Sequence, residues 1–207
     1  MIAKYLSYIL FFPIALFLFI AALISRFKYT QNKSKPRIVW GSAPILNNSY
    51  WAKAMKQQGF LSETFTFPFF TSISKRDDWD RVLSDQYPFV PYKMRVYFAF
   101  VESLFKYDIY VISYRGFFLQ ATPHKFMQGN LLKYARKKII VIPYGSDCFV
   151  YKNIRSTSWM HALMISYPIA SKNQNTILND VNYWNKHADA VIPCISGFDG
   201  IGRWGVL

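Results

Sequence analysis

The chain has 207 residues, of which 52% are hydrophobic and 19% aromatic, and it carries a formal net charge of +14. That length allows one domain of ordinary size plus an extra segment, and the apolar content suffices for a full core, which excludes a disordered chain. The basic residues are dispersed rather than gathered in one arm, and no nucleic-acid module signature occurs, so charge alone does not make this a nucleic-acid binder.

The first segment sets the partner class. Tyr5 to Ser25, "YLSYILFFPIALFLFIAALIS", holds no charged residue. At about 1.5 Å per residue it reaches across a hydrocarbon core of roughly 30 Å. Pro13 kinks such a helix without barring it from a membrane. A cleaved signal has a shorter apolar region ending at a small-x-small site, whereas this one runs on into bulky and basic residues. The reading is a retained anchor over residues 1–28, with 29–36 as linker. Only Lys4 precedes the span, while Arg26, Lys28, Lys33, Lys35 and Arg37 follow it, which predicts a single-pass protein of the inner (cytoplasmic) membrane with its globular part in the cytoplasm. The remainder carries 24 basic against 11 acidic groups and suits an anionic lipid surface. Cys148 and Cys194 are too few and too far apart for a metal site and read as small buried thiols.

The spacing then predicts alternating strands and helices. "RIVW", Arg37 to Trp40, is a strand. Asn47-Asn48-Ser49 caps a helix that carries Trp51, Ala54 and Met55 on one face and ends at Gly59. Leu61 to Phe67 alternates with period two as a strand. Lys75 to Gln86 reads as a short amphipathic helix, and Pro91 starts a longer one with Tyr97, Phe100, Val101, Leu104 and Phe105 as its stripe. Strands follow at Tyr107 to Ser113, Lys138 to Pro143 and Ala188 to Ser196. Helices at Lys125 to Arg136 and around Ile177, Leu178, Val181 and Trp184 separate them. Five short apolar strands alternating with helices predict an α/β fold: a Rossmann-like open parallel sheet with helices on both faces, over residues 37–196.

Such sheets bind ligands outside the carboxyl ends of their strands. Four strand ends carry small or polar residues: Gly41-Ser42, Ser113-Arg115-Gly116, Gly145-Ser146-Asp147 and Ser196-Gly197. At Gly145-Ser146-Asp147 glycine permits close backbone approach, serine donates and aspartate accepts from hydroxyls. The same three residues also make an ordinary turn in which Asp147 caps the next segment. Arg115 can pair with a phosphate. The helix start near Asn47 and Asn48 can receive an anion or a hydroxyl-rich ligand, but there is neither G-x-G-x-x-G nor a P-loop, so no dinucleotide cofactor is expected. Asp78-Trp79-Asp80 matches a metal-binding D-x-D pattern, yet it opens a charged helix instead of following an apolar strand, and no metal is assigned to it. His124, His161 and His187 are scattered. His124, in a loop after Pro123, is the one placed nearest a ligand, and His187 ends its helix. G-x-S-x-G is absent, which disfavours a hydrolase.

Taken in order, "RIVWGSAPILNNSYWAKAMKQQG", "KYDIYVIS", "KKIIVIPYGSDCFVY" and "NYWNKHADAVIPCIS" resemble the amino-terminal, acceptor-side half of a GT-B-type glycosyltransferase. The resemblance covers residues 37–196, and the order of the motifs carries it. It implies two Rossmann-like domains across a cleft, the first holding the acceptor and the second the nucleotide sugar. It implies that Gly145 and Asp147 contact the reacting sugar or acceptor, with Asp147 as the candidate catalytic residue that orients a hydroxyl, and that Gly41, Ser42 and Asn47 line the acceptor side. No metal is needed in that class, where dipoles and basic groups stabilise the phosphate. The tail "GFDGIGRWGVL", residues 197–207, reads as the start of an interdomain linker, so the expectation is a half-enzyme that needs a further domain or a partner subunit. The nucleotide sugar is then a co-substrate of the whole enzyme, and this half binds no cofactor and transfers little sugar alone. An anchor and a basic surface suit a glycan or lipid-linked acceptor. The competing reading is a membrane-tethered binding or scaffold protein that keeps the fold without the chemistry.

Overall fold

Residues 2–28, 35–69 and 71–193 are described by the computed structural model. Six strands form one sheet: β1 (Arg37–Trp40), β2 (Leu61–Thr66), β3 (Arg81–Val82), β4 (Ile109–Ile112), β5 (Lys138–Val141) and β6 (Ala190–Val191). Their order is β3-β2-β1-β4-β5-β6, and every neighbouring pair is parallel. Seven α-helices accompany them: α1 (Ile2–Lys28), α2 (Leu46–Gln57), α3 (Tyr92–Lys106), α4 (Gln128–Tyr134), α5 (Thr157–Ser166), α6 (Pro168–Lys172) and α7 (Gln174–His187).

Period-two alternation divides the core between the two faces of the sheet. Ile38, Trp40 and Val111 pack with Ala52 of α2 on one face. Val39, Tyr110, Ile112, Ile139 and Val141 pack on the other with residues of α1, α3, α4 and α7. The central strands are runs of β-branched and aromatic residues buried on both sides, as parallel strands require.

Three expectations are corrected. The segment Lys75 to Gln86 is not a helix. It holds a 3-10 turn at Arg76–Asp78, the edge strand β3 and a second 3-10 turn at Leu83–Asp85. Trp79, Val82 and Leu83 are all buried, and the Asp80 carboxylate accepts the Thr64 N–H at 2.8 Å, so side-chain bonds to the neighbouring strand replace a helical ladder. Among the described residues the sheet therefore has six strands instead of five. Asn47, Asn48 and Ser49 do not cap α2 either. The helix starts one residue earlier at Leu46, its cap Ile45 makes no side-chain bond, and Ser49 is buried and donates to the Asp78 carbonyl. The helix expected from Lys125 is a 3-10 turn followed by the shorter α4. The last expected strand is described only as Ala190–Val191, and Cys194, Ser196 and Gly197 lie outside the described residues.

Helix α1 contributes to the core. Leu18, Ala21, Ala22 and Ser25 share one face and are at most 5% exposed. The Ser25 hydroxyl donates to the Leu104 carbonyl at 2.6 Å. Arg26 donates to the Tyr134 carbonyl at 3.1 Å and lies over the Tyr134 ring. Further toward the amino end, the His124 ring stacks on Phe11 at 4.4 Å and its Nε2 donates to the Phe11 carbonyl at 3.0 Å. That carbonyl can only accept, so Nδ1 is left to accept the Tyr97 hydroxyl at 3.1 Å. The opposite face, with Phe12, Leu16, Ile20, Ile24 and Phe27, is exposed. Phe11–Lys28 is long and apolar enough to cross a membrane.

The end of β1 approaches β2 so closely that a Cβ at Gly41 would lie 2.0 Å from the Phe65 carbonyl oxygen. Gly145 also has a positive φ, +63°, but faces open space. Gly41→Ala should therefore cost on the order of 3–5 kcal/mol. Gly145→Ala should cost only about 1–2 kcal/mol of left-handed strain. Urea unfolding of the two variants checks the contrast, and equal losses would contradict the close approach at Gly41.

Candidate functional site

Along the sheet the strand order reverses between β1 and β4, the point where an open α/β sheet forms its crevice. Three adjacent strands deliver their following loops there. Gly41-Ser42 follow β1, Ser113 to Gly116 follow β4, and Gly145 to Asp147 follow β5. Gly41 N–H donates to the Val111 carbonyl at 3.1 Å, which fastens the first loop to β4.

Asp147 ties the other two loops together. It is 7% exposed. Its Oδ1 accepts the Tyr144 N–H at 2.7 Å, capping the 3-10 turn Gly145–Asp147. Its Oδ2 accepts the Tyr114 N–H at 3.0 Å, 33 residues away. Burial pushes the carboxyl up to about 7, against the pull of both N–H groups, of Arg115 and of Ser113. The Ser113–Phe118 segment is braced further. The Tyr114 hydroxyl donates to Asn185 of α7 at 2.7 Å, and Phe117 N–H donates to the buried Gln128 of α4 at 3.0 Å.

The expected site residues differ in what they offer to a ligand. Arg115 is exposed, and Gly145 and Ser146 are half-buried beside it. Asn47 is exposed on the first turn of α2. Gly41 and Ser42 are buried. The Ser42 hydroxyl has no hydrogen-bond partner among the described residues, and its carbonyl accepts from Thr66 and Phe67. Ser42 thus belongs to the strand junction instead of an open wall. Asp78 and Asp80 of the D-x-D segment are engaged by the Lys75 N–H, by Thr64 and by Lys56. Among the described residues no group of three or more His, Cys, Asp or Glu could hold a metal ion.

Sequence reasoning missed Asp180 and Lys125. Asp180 is 4% exposed on α7, and Lys125 Nζ forms an ion pair with its Oδ1 at 2.5 Å. Burial pushes the Asp180 carboxyl up, and Lys125 and Arg115 pull it back. Arg115 therefore pulls on two buried carboxyls, Asp147 and Asp180. The signal was present: Asp180 shares a helical face with Ile177, Val181 and Trp184, and a lone acid on an apolar stripe needs a partner.

His124, expected near a ligand, helps line a cavity of about 870 Å³ with Phe11, Ile14, Phe67, Met94 and Gln120. The cavity sits where α1, the start of α3 and the loop after β2 meet.

Comparison of the chain with protein-family models, with curated proteins and with solved structures gives no match.

The raised Asp147 has a definite sign. The folded state holds this proton up to about pH 7, while an unfolded aspartate releases it near pH 4. The contribution to stability is thus most favourable below pH 4 and declines as pH rises to about 7, by at most about 1.4 kcal/mol per pH unit. Asp147→Asn removes this slope. Thermal unfolding of both proteins at pH 5 and pH 7.5 should show the wild type losing more on the alkaline side. Parallel behaviour would contradict the raised carboxyl.

Proposed function

We propose that the chain is the acceptor-binding half of a membrane-associated glycosyltransferase. A sugar passes from a nucleotide sugar, held by a second Rossmann-like unit, to a glycan or lipid-linked acceptor seated on this sheet. The observation that carries the reading is the carboxyl edge at the β1/β4 reversal, where exposed Arg115 stands beside the Gly145-Ser146 turn braced by Asp147. Arg115 supplies a fixed positive charge with donors for hydroxyls or a phosphate. Gly145 and Ser146 supply backbone and hydroxyl groups at the surface.

Asp147 in this reading is a positioning residue. Each of its oxygens already accepts a backbone N–H, so it sets the distance between two loops and leaves proton transfer to other groups. The same saturation favours the second reading, a membrane-tethered binding or scaffold protein. Both readings bind a saccharide, but only the first yields transfer once the donor-holding unit is supplied. Attachment through the exposed apolar ridge of α1, which lies along a membrane surface because Phe11 and Arg26 are both bonded to the domain, completes the proposal.

The test is saturation-transfer NMR on the chain in nanodiscs against neutral, acidic and amino-sugar oligosaccharides. One class should bind, and Arg115→Ala should weaken it roughly tenfold, the loss of one charge-assisted contact. Free nucleoside diphosphate should not bind this half. Failure of all three saccharide classes, or binding indifferent to Arg115→Ala, overturns the reading.

A further inference from the structure

We propose that the cavity between α1 and α3 holds the apolar chain of an anionic lipid whose head group reaches the carboxyl edge of the sheet. This rests on the acceptor reading above and names its substrate class as lipid-linked.

Four observations carry it. The first is size and lining. At about 870 Å³ the space falls in the roughly 300–1,000 Å³ range of ligand pockets. Phe11, Ile14, Phe67, Met94 and Val96 make its walls apolar. The second is an orphaned acceptor. The Gln120 Oε1 is buried and has no hydrogen-bond partner among the described residues, although Gln120 lines the cavity. A buried carbonyl oxygen left unpaired costs about 1–3 kcal/mol, and a hydroxyl or phosphate O–H at the end of a bound chain would satisfy it. The third is charge. Lys93 is exposed and lines the same cavity, so an ammonium stands at its rim. An anionic head is the complement of that group.

The fourth is continuity, and it selects the source of the lipid. One wall of the cavity is α1, whose outward ridge of Phe12, Leu16, Ile20 and Ile24 is exposed and uncharged. A ridge of that kind on a soluble surface marks a membrane or partner contact. Another wall, Gln120 to His124, belongs to the segment between β4 and α4 that also carries Arg115. A ligand with its chain in the cavity and its head on the Arg115 side of that segment would join the two features. A lipid-linked acceptor meets both conditions, and a bulk bilayer lipid meets only the first.

The probe is hexadecyl phosphate carrying a diazirine in its chain, added to the protein in phosphatidylcholine nanodiscs and photolysed. Mass spectrometry should map the cross-links to peptides covering residues 92–97 and 120–124. Val96→Trp fills the cavity and should reduce this labelling about tenfold. Gln120→Leu keeps the volume but removes the acceptor, and should reduce it about fivefold, the worth of one hydrogen bond. It decides the matter if Val96→Trp does not fold. Labelling confined to the outward ridge of α1, and indifferent to both variants, overturns the proposal. Full competition by equimolar two-chain phosphatidic acid assigns the cavity to bulk lipid and overturns the acceptor-lipid source. The probe carries no sugar, so the two proposals fail separately. Cavity labelling without saccharide binding removes the acceptor reading and the lipid's role as acceptor while leaving an anionic-lipid site, and saccharide binding without cavity labelling removes the cavity proposal alone.

Discussion

The seam between β1 and β4 constrains everything built on the sheet. At its lower end the Arg37 N–H and guanidinium both reach the buried Asp108 carboxylate, and the Asp108 N–H returns to the Arg37 carbonyl. At its upper end Gly41 N–H meets Val111. These two strands are distant in sequence, and pairing them obliges α3 to carry the chain from the β3 edge back across the middle of the sheet. That crossing gives α1 a surface to pack on. It also fixes the reversal of strand order that brings the loops after β1, β4 and β5 side by side. Asp108 is the buried member of its pair with half-buried Arg37, so removing Arg37 would strand a buried charge.

Much of this was legible in the sequence. "RIVW", "IYVI" and "KIIV" are continuous β-branched or aromatic runs with turn residues after them, and such runs have few alternatives to a buried parallel strand. β3 was not legible, because it is two residues long and is flanked by acids that suit a helix start equally well. α5 was missed for a related reason. Only Leu163 of its ten residues is buried, so no stripe marks it. In the site, the turn after β5 could be placed from sequence, but the role of Asp147 could not. Its second partner is the Tyr114 N–H on another loop, and no local spacing encodes that contact. The cavity drew on four separate segments and left no pattern in any of them. Only the lone His124, in its loop, pointed toward it.

The site combines a rigid frame with an open rim. Asp147 and Gln128 hold the backbone of residues 113–118 and Asn185 holds the Tyr114 hydroxyl, while Arg115 stays exposed and Ser146 half-buried. This arrangement suits recognition, since little conformational freedom is lost when a ligand arrives. It also separates two jobs that a single aspartate would otherwise share. The buried carboxyl shapes the loops, and the exposed guanidinium makes the contact.

Helix α1 is pinned at two points, by His124 at Phe11 and by Leu104 and Tyr134 at Ser25 and Arg26. A helix joined to its domain through a loose tether can swivel, but one held at two points cannot change its angle without breaking those bonds. Whatever surface its outer ridge adheres to then fixes the attitude of the whole sheet, as a keel fixes a hull. Shortening or lengthening the stretch that follows Lys28 would leave that attitude unchanged, whereas loosening the His124 pin would let it drift.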